Sequence, residues 1–78
     1  MNAGAGLRDR SLELAHDRLA AAREAFAATP CRQTGDSLRE RAWVFWLRRN
    51  GSSTGFEAEL ARLDRQIAAA IEDAGEVA

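Results

Sequence analysis

The sequence predicts an all-α fold, a small three-helix bundle, from three observations. Two stretches repeat apolar residues at helical spacing, helix stop signals separate them, and no stretch alternates in the manner of a strand. At 78 residues the chain is one domain, 1–78. Folding at this size buries only about 60% of the surface the unfolded chain exposes, so association with another chain would add materially to stability.

The first helix is expected over about residues 7–28, after a flexible stretch at 1–6. Leu12, Ala15, Leu19, Ala22 and Phe26 recur at spacings of 3, 4, 3 and 4, a seam of the heptad kind. Leu14, Ala21 and Ala25 widen that stripe. Pro30 ends the helix, because a proline pushes the residue before it out of helical geometry. Thr29 to Asp36 read as a loop, rich in residues that favour turns.

Ser37 with Glu40 three residues on reads as a capping box, giving a short middle helix over about 38–49. Asn50-Gly51 closes it, since both residues tolerate a left-handed cap. Thr54 and Glu57 form a second capping box for a third helix over about 55–74. Its seam is Phe56, Leu60, Leu63, Ile67, Ala70 and Ala74, with Ile71 alongside. Two long amphipathic helices are therefore joined through a short apolar one, and short connections favour antiparallel neighbours. The alternative is a hairpin of the two outer helices whose core is completed by homodimerisation.

The middle helix holds the densest apolar run, Trp43-Val44-Phe45-Trp46-Leu47, flanked by Arg39, Arg41, Arg48 and Arg49. Successive helical residues point about 100° apart, so five in a row cover every side. With Trp43 at zero, Phe45, Leu38, Ala42 and Trp46 fall between about 200° and 300° and form the expected core face. Trp43 and Leu47 lie on the other side, with Val44 near about 100°. Aromatic anchors beside arginine resemble the composition of interface hot spots. Trp43, Leu47 and Val44, rimmed by Arg39, Arg41, Arg48 and Arg49, are thus the candidate partner-binding residues.

Composition excludes more than it identifies. The 11 basic residues, all arginine, stand against 12 acidic ones, so no overall field recruits nucleic acid or an anionic membrane. Arginine without lysine, together with abundant alanine, fits a GC-rich bacterial or phage genome. Between Ser37 and Asn50, four arginines against one glutamate give a local net of +3, interleaved with tryptophan. That patch supports nucleic-acid binding as the alternative function. The third helix, with five acidic residues against Arg62 and Arg65, nets −3 and would repel phosphate. The same charge split would attract the two helices to each other.

One cysteine, Cys31, excludes an internal disulfide and fits a cytoplasmic protein. The small residues Met1 to Gly6 lack the apolar core of a signal peptide, and no stretch approaches the roughly 20 apolar residues of a membrane span. His16, the single histidine, and Cys31 cannot build a zinc site without carboxylate help, and the neighbour Asp17 suggests a local ion pair for His16. No nucleophile motif or phosphate loop is present. The sequence therefore predicts a non-enzymatic interaction module with no cofactor, metal, membrane or small-molecule substrate. It would bind a protein partner or itself, for example as an inhibitor, chaperone or regulatory subunit.

Overall fold

A computed structural model describes the backbone of residues 3–77 and the side chains of residues 10–75. It contains three helices: α1 (Ala3–Ala28), α2 (Arg32–Asn50) and α3 (Phe56–Val77). The chain is an all-α three-helix bundle. The side chain of Leu7 and the residues Met1, Asn2 and Ala78 lie outside the described residues. Helical backbone already begins at Ala3, inside the stretch expected to be flexible.

The α1 helix ends as expected ahead of Pro30, with Thr29 donating its N–H to the Ala25 carbonyl at 3.0 Å. The next element differs from expectation. Residues 32–37, read as loop and cap, are helical, so α2 starts at Arg32 and is 19 residues long rather than short. Cys31, extended at φ −157°, is its N-cap, and Thr34 replaces Glu40 as the reciprocal partner. The Cys31 N–H donates to Thr34 Oγ1 at 3.2 Å, and that hydroxyl reaches the Thr29 carbonyl at 2.7 Å.

The reason for the earlier start lies at Gly35, buried in the first turns of α2. A Cβ there would stand 2.8 Å from Ile67 Cγ2 and 3.6 Å from Phe26 Cε1. Glycine is costly in a helix interior, by about 1 kcal/mol against alanine. Here it is retained because α1 and α3 both reach the α2 backbone at this point.

The C-terminal signal is found where it was expected. Gly51 is left-handed at φ 74° and returns its N–H to the Leu47 carbonyl at 2.8 Å. At α3 the second capping box does not form. Gly55 turns the chain at φ 87°, and the Phe56 N–H bonds to the Ser53 carbonyl at 3.0 Å. A side chain at Gly55 would press on the Trp46 ring, 3.3 Å away, which fixes the turn against α2. Helix α3 runs on through Gly75, where the expected stop does not occur.

Both outer helices run antiparallel to α2. Along α1, Ser11 receives a hydrogen bond from Arg48, His16 meets Phe45 edge-on at 5.8 Å, and Phe26 reaches Gly35. Along α3, Phe56 lies against Trp43 and Trp46, Asp64 pairs with Arg39, and Ile67 packs at Gly35. The core joins Leu19 and Phe26 of α1, Leu38 of α2, and Leu63 and Ile67 of α3. Ala22, Ala42, Phe45, Ala70 and Ile71 pack around it, as the apolar seams predict. Leu14, by contrast, is 49% exposed, and Ala21 and Ala25 also face solvent.

The backbone measures 56 × 24 × 12 Å, an elongated and flattened bundle. Among the described residues the α1 and α3 backbones do not touch; their side chains meet in the core, where Phe26 and Ile67 both reach Gly35. The radius of gyration is 14.7 Å, against about 11.5 Å for a compact domain of this length.

Candidate functional site

The seven residues singled out from sequence are distributed over several surfaces. Trp43 remains 37% exposed, yet its ring packs on Phe56 with centroids 4.9 Å apart and planes tilted by 60°. Trp46 approaches the same ring at 5.7 Å, so Phe56 sits between the two tryptophans. Aromatic pairs of this geometry are worth about 0.5–1.5 kcal/mol beyond area burial. The Trp46 Nε1 is buried and has no hydrogen-bond partner among the described residues. Leu47 is half-buried.

Val44 faces α1, where it lines a small recess with Leu14 and Ala15. Arg41 and Arg48 border the same recess, and Arg48 donates to Ser11 Oγ. Arg39 spans two helices, donating to Asp64 of α3 at 2.5 Å and to Asp36 at 2.7 Å. Both carboxylates, Asp64 first, raise the pKa of its guanidinium above the ordinary value. Arg39 is thus a strut between α2 and α3. Arg49 is exposed and borders a different depression, beside Phe45.

That depression begins a surface the sequence did not single out. Its walls are Leu12, Glu13, His16 and Asp17 of α1 with Phe45 and Arg49 of α2. His16 is exposed, covers Phe45 and stands 3.7 Å from Asp17, which matches its expected local pairing. Farther along the bundle a second depression opens between α1 and α3. Leu38, Phe26, Leu63 and Ile67 line it, and Arg23 and Arg62 stand at its rim. Arg62 is held by Glu59 at 2.6 Å, and that hydrogen bond raises its pKa.

The two depressions belong to one face. On α1, Leu12, His16, Leu19, Arg23 and Phe26 are spaced 4, 3, 4 and 3, a single helical stripe. On α2, Leu38 and Phe45 are two turns apart on one side. Leu19, Phe26 and Leu38 of this face are buried in the core, Leu12 and Phe45 are half-buried, and His16 and Arg23 are exposed.

No group of three or more metal-ligating side chains occurs among the described residues, and no helix in them is long and apolar enough to cross a membrane. Cys31 is half-exposed at the start of α2, and the Thr34 hydroxyl lowers its thiol pKa. No family model, curated protein or solved structure matches the chain.

Proposed function

We propose that the chain is a non-enzymatic protein–protein interaction module, cytoplasmic in location, that works by docking another polypeptide across its charge-rimmed depressions. The single observation that supports this most strongly is the pair of charge-rimmed depressions on one side of the bundle, at Phe45 and at Leu38. Half-buried Leu12 and Phe45 line the first with Glu13, His16, Asp17 and Arg49, whereas the floor of the second, Phe26, Leu38, Leu63 and Ile67, is buried within the chain and only its charged rim is exposed. An apolar centre with a polar rim is the anatomy of a protein interface. A module of this kind acts by completing or occupying its partner, as an inhibitor, chaperone or regulatory subunit does.

Nucleic-acid binding gains no support from the arrangement. Of the arginines that suggested it, Arg39 is neutralised by two aspartates and Arg48 is turned to Ser11. A stripe of free guanidinium groups tracking a phosphate backbone is not formed.

Site-specific photocrosslinking in cells tests the proposal. A benzophenone side chain replacing Gln66, in the open depression, should yield a covalent protein adduct. The same probe at Ser37, exposed on α2 and lining neither depression, should yield none. Absence of any protein adduct at Gln66 would remove the reading.

A further inference from the structure

We propose that the small recess on the α1–α2 seam, beside Val44, docks an acidic polypeptide segment that carries an aliphatic anchor. Leu14, Ala15 and Val44 form its apolar part, and Arg18, Arg41 and Arg48 surround them. It shares no residue with the depressions at Phe45 and Leu38, so the inference stands apart from them.

The charge of this recess is one-sided. Three guanidinium groups border it and no carboxylate does. Among the described residues Arg18, Arg41 and Arg48 form no ion pair, whereas Arg32, Arg39 and Arg62 each pair with a carboxylate. Arg48 donates to Ser11 Oγ, a neutral group that leaves its charge uncompensated.

Helical spacing brings the three together. On α2, Arg41, Val44 and Arg48 are spaced 3 and 4 and share one side. The antiparallel register that sets Ser11 beside Arg48 also sets Arg18 at the level of Arg41. Like charges held at one level repel, and an anion between them replaces that repulsion with two charge-assisted hydrogen bonds.

The apolar part selects the class of anion. Leu14 is 49% exposed, and half-buried Val44 lies beside it within the cationic rim. A free phosphate or a nucleic-acid backbone would leave Leu14 in water. A polypeptide with carboxylates around one aliphatic side chain covers both parts. Arg41 and Arg48 leave α2 two turns apart, about 10 Å, which is the spacing of carboxylates at i and i+7 on a partner helix. The net charge of −1 does not oppose such a partner, because charges farther off than about 8 Å are screened at physiological salt.

Fluorescence anisotropy with the full chain and three labelled probes provides the test. The first is a helical peptide with glutamates two turns apart around a leucine. The second has alanine in place of that leucine, and the third is a single-stranded oligonucleotide of equal charge. The leucine peptide should bind at least fivefold tighter than either of the others. Arg18→Glu with Arg41→Glu should weaken it at least tenfold, whereas Arg65→Glu, on α3 and outside the recess, should change it less than twofold. Leu14→Ala should remove the advantage of the leucine peptide over the alanine peptide. Circular dichroism should show unchanged helicity throughout. If the double reversal unfolds the chain, Arg18→Gln with Arg41→Gln removes the charge without reversing it and should weaken binding at least threefold. A leucine peptide that does not bind overturns the inference, as does binding indifferent to the Arg18 and Arg41 changes. An oligonucleotide or alanine peptide that binds as tightly also overturns it, because charge alone would then account for the attraction.

Discussion

The two helix junctions of this protein are built on opposite plans. Between α1 and α2, contact runs the length of α2, from Ser11 and Arg48 at one end to Phe26 and Gly35 at the other. Small residues such as Ala15 and Ala22 let the helices approach along that line. Between α2 and α3, contact is concentrated at three stations: Gly35 with Ile67, Arg39 with Asp64, and the two tryptophans with Phe56. A distributed seam loses little from one substitution, whereas a junction with three stations depends on each of them. The comparison teaches that α3 is the helix most readily released, and that α2 holds the bundle together.

The largest break should come at Ile67, which is 1% exposed and central to the core. Ile67→Ala should cost about 2–5 kcal/mol in urea denaturation, a large part of what a 78-residue domain commands. Its effect should fall first on α3, read by hydrogen exchange that rises in residues 56–75 before it rises in α1. Simultaneous loss of protection in all three helices would show that the junctions are not separable.

Gly35→Ala comes next. The added methyl stands 2.8 Å from Ile67 Cγ2, and overpacking of this kind costs about 1–3 kcal/mol. Better helix propensity returns about 1 kcal/mol, so the expected net loss is about 1 kcal/mol. Leucine at position 67 lacks the offending γ-methyl. Gly35→Ala combined with Ile67→Leu should therefore lose less than the sum of the two single changes. A double-mutant cycle without coupling would refute the close approach as the reason for glycine.

The Arg39–Asp64 station should matter least of the three. Their side chains are 34% and 47% exposed, so water screens the pair and Asp36 can hold Arg39 in its absence. Asp64→Asn should cost about 0.5 kcal/mol and lose most of that effect in 1 M salt. A salt-insensitive loss of several kcal/mol would mean that this ion pair, rather than Ile67, anchors α3.

These differences explain what was legible in the sequence. The seams of α1 and α3 were readable because heptad spacing is local, and Leu19, Phe26, Leu63 and Ile67 are buried as that spacing requires. The start of α2 was not readable. Thr34, Gly35, Asp36 and Ser37 have the composition of a loop, and only the approach of Ile67 explains a glycine inside a helix. Trp43 was read as lacking cover within the chain because the wheel of α2 carries no information about Phe56, which packs on it from the start of α3. The arginines were read as one rim, whereas Asp36, Asp64 and Ser11 divide them among different junctions. Partners distant in sequence decided these outcomes, apart from the local Cys31–Thr34 cap and the pairing of Arg39 with Asp36.

The finest adjustment concerns the connection between the first two helices. The Thr34 hydroxyl lies 3.4 Å from Cys31 Sγ and, with the Thr34 backbone and Gln33, lowers the thiol pKa below its ordinary value of 9.0. Because the folded value is the depressed one, the unfolded chain binds more protons in the window just below that value. Stability from this source is complete above pH 9.0 and disappears as the pH falls through the folded pKa. Thermal midpoints should therefore climb slightly as the pH rises toward 9.0, and the climb should be missing in Cys31→Ser. Thr34→Val should move the thiolate absorbance titration back toward the unfolded value while α2 remains helical. If the titration does not move in Thr34→Val, the cap does not tune the thiol, and the α1–α2 connection is indifferent to pH in this range.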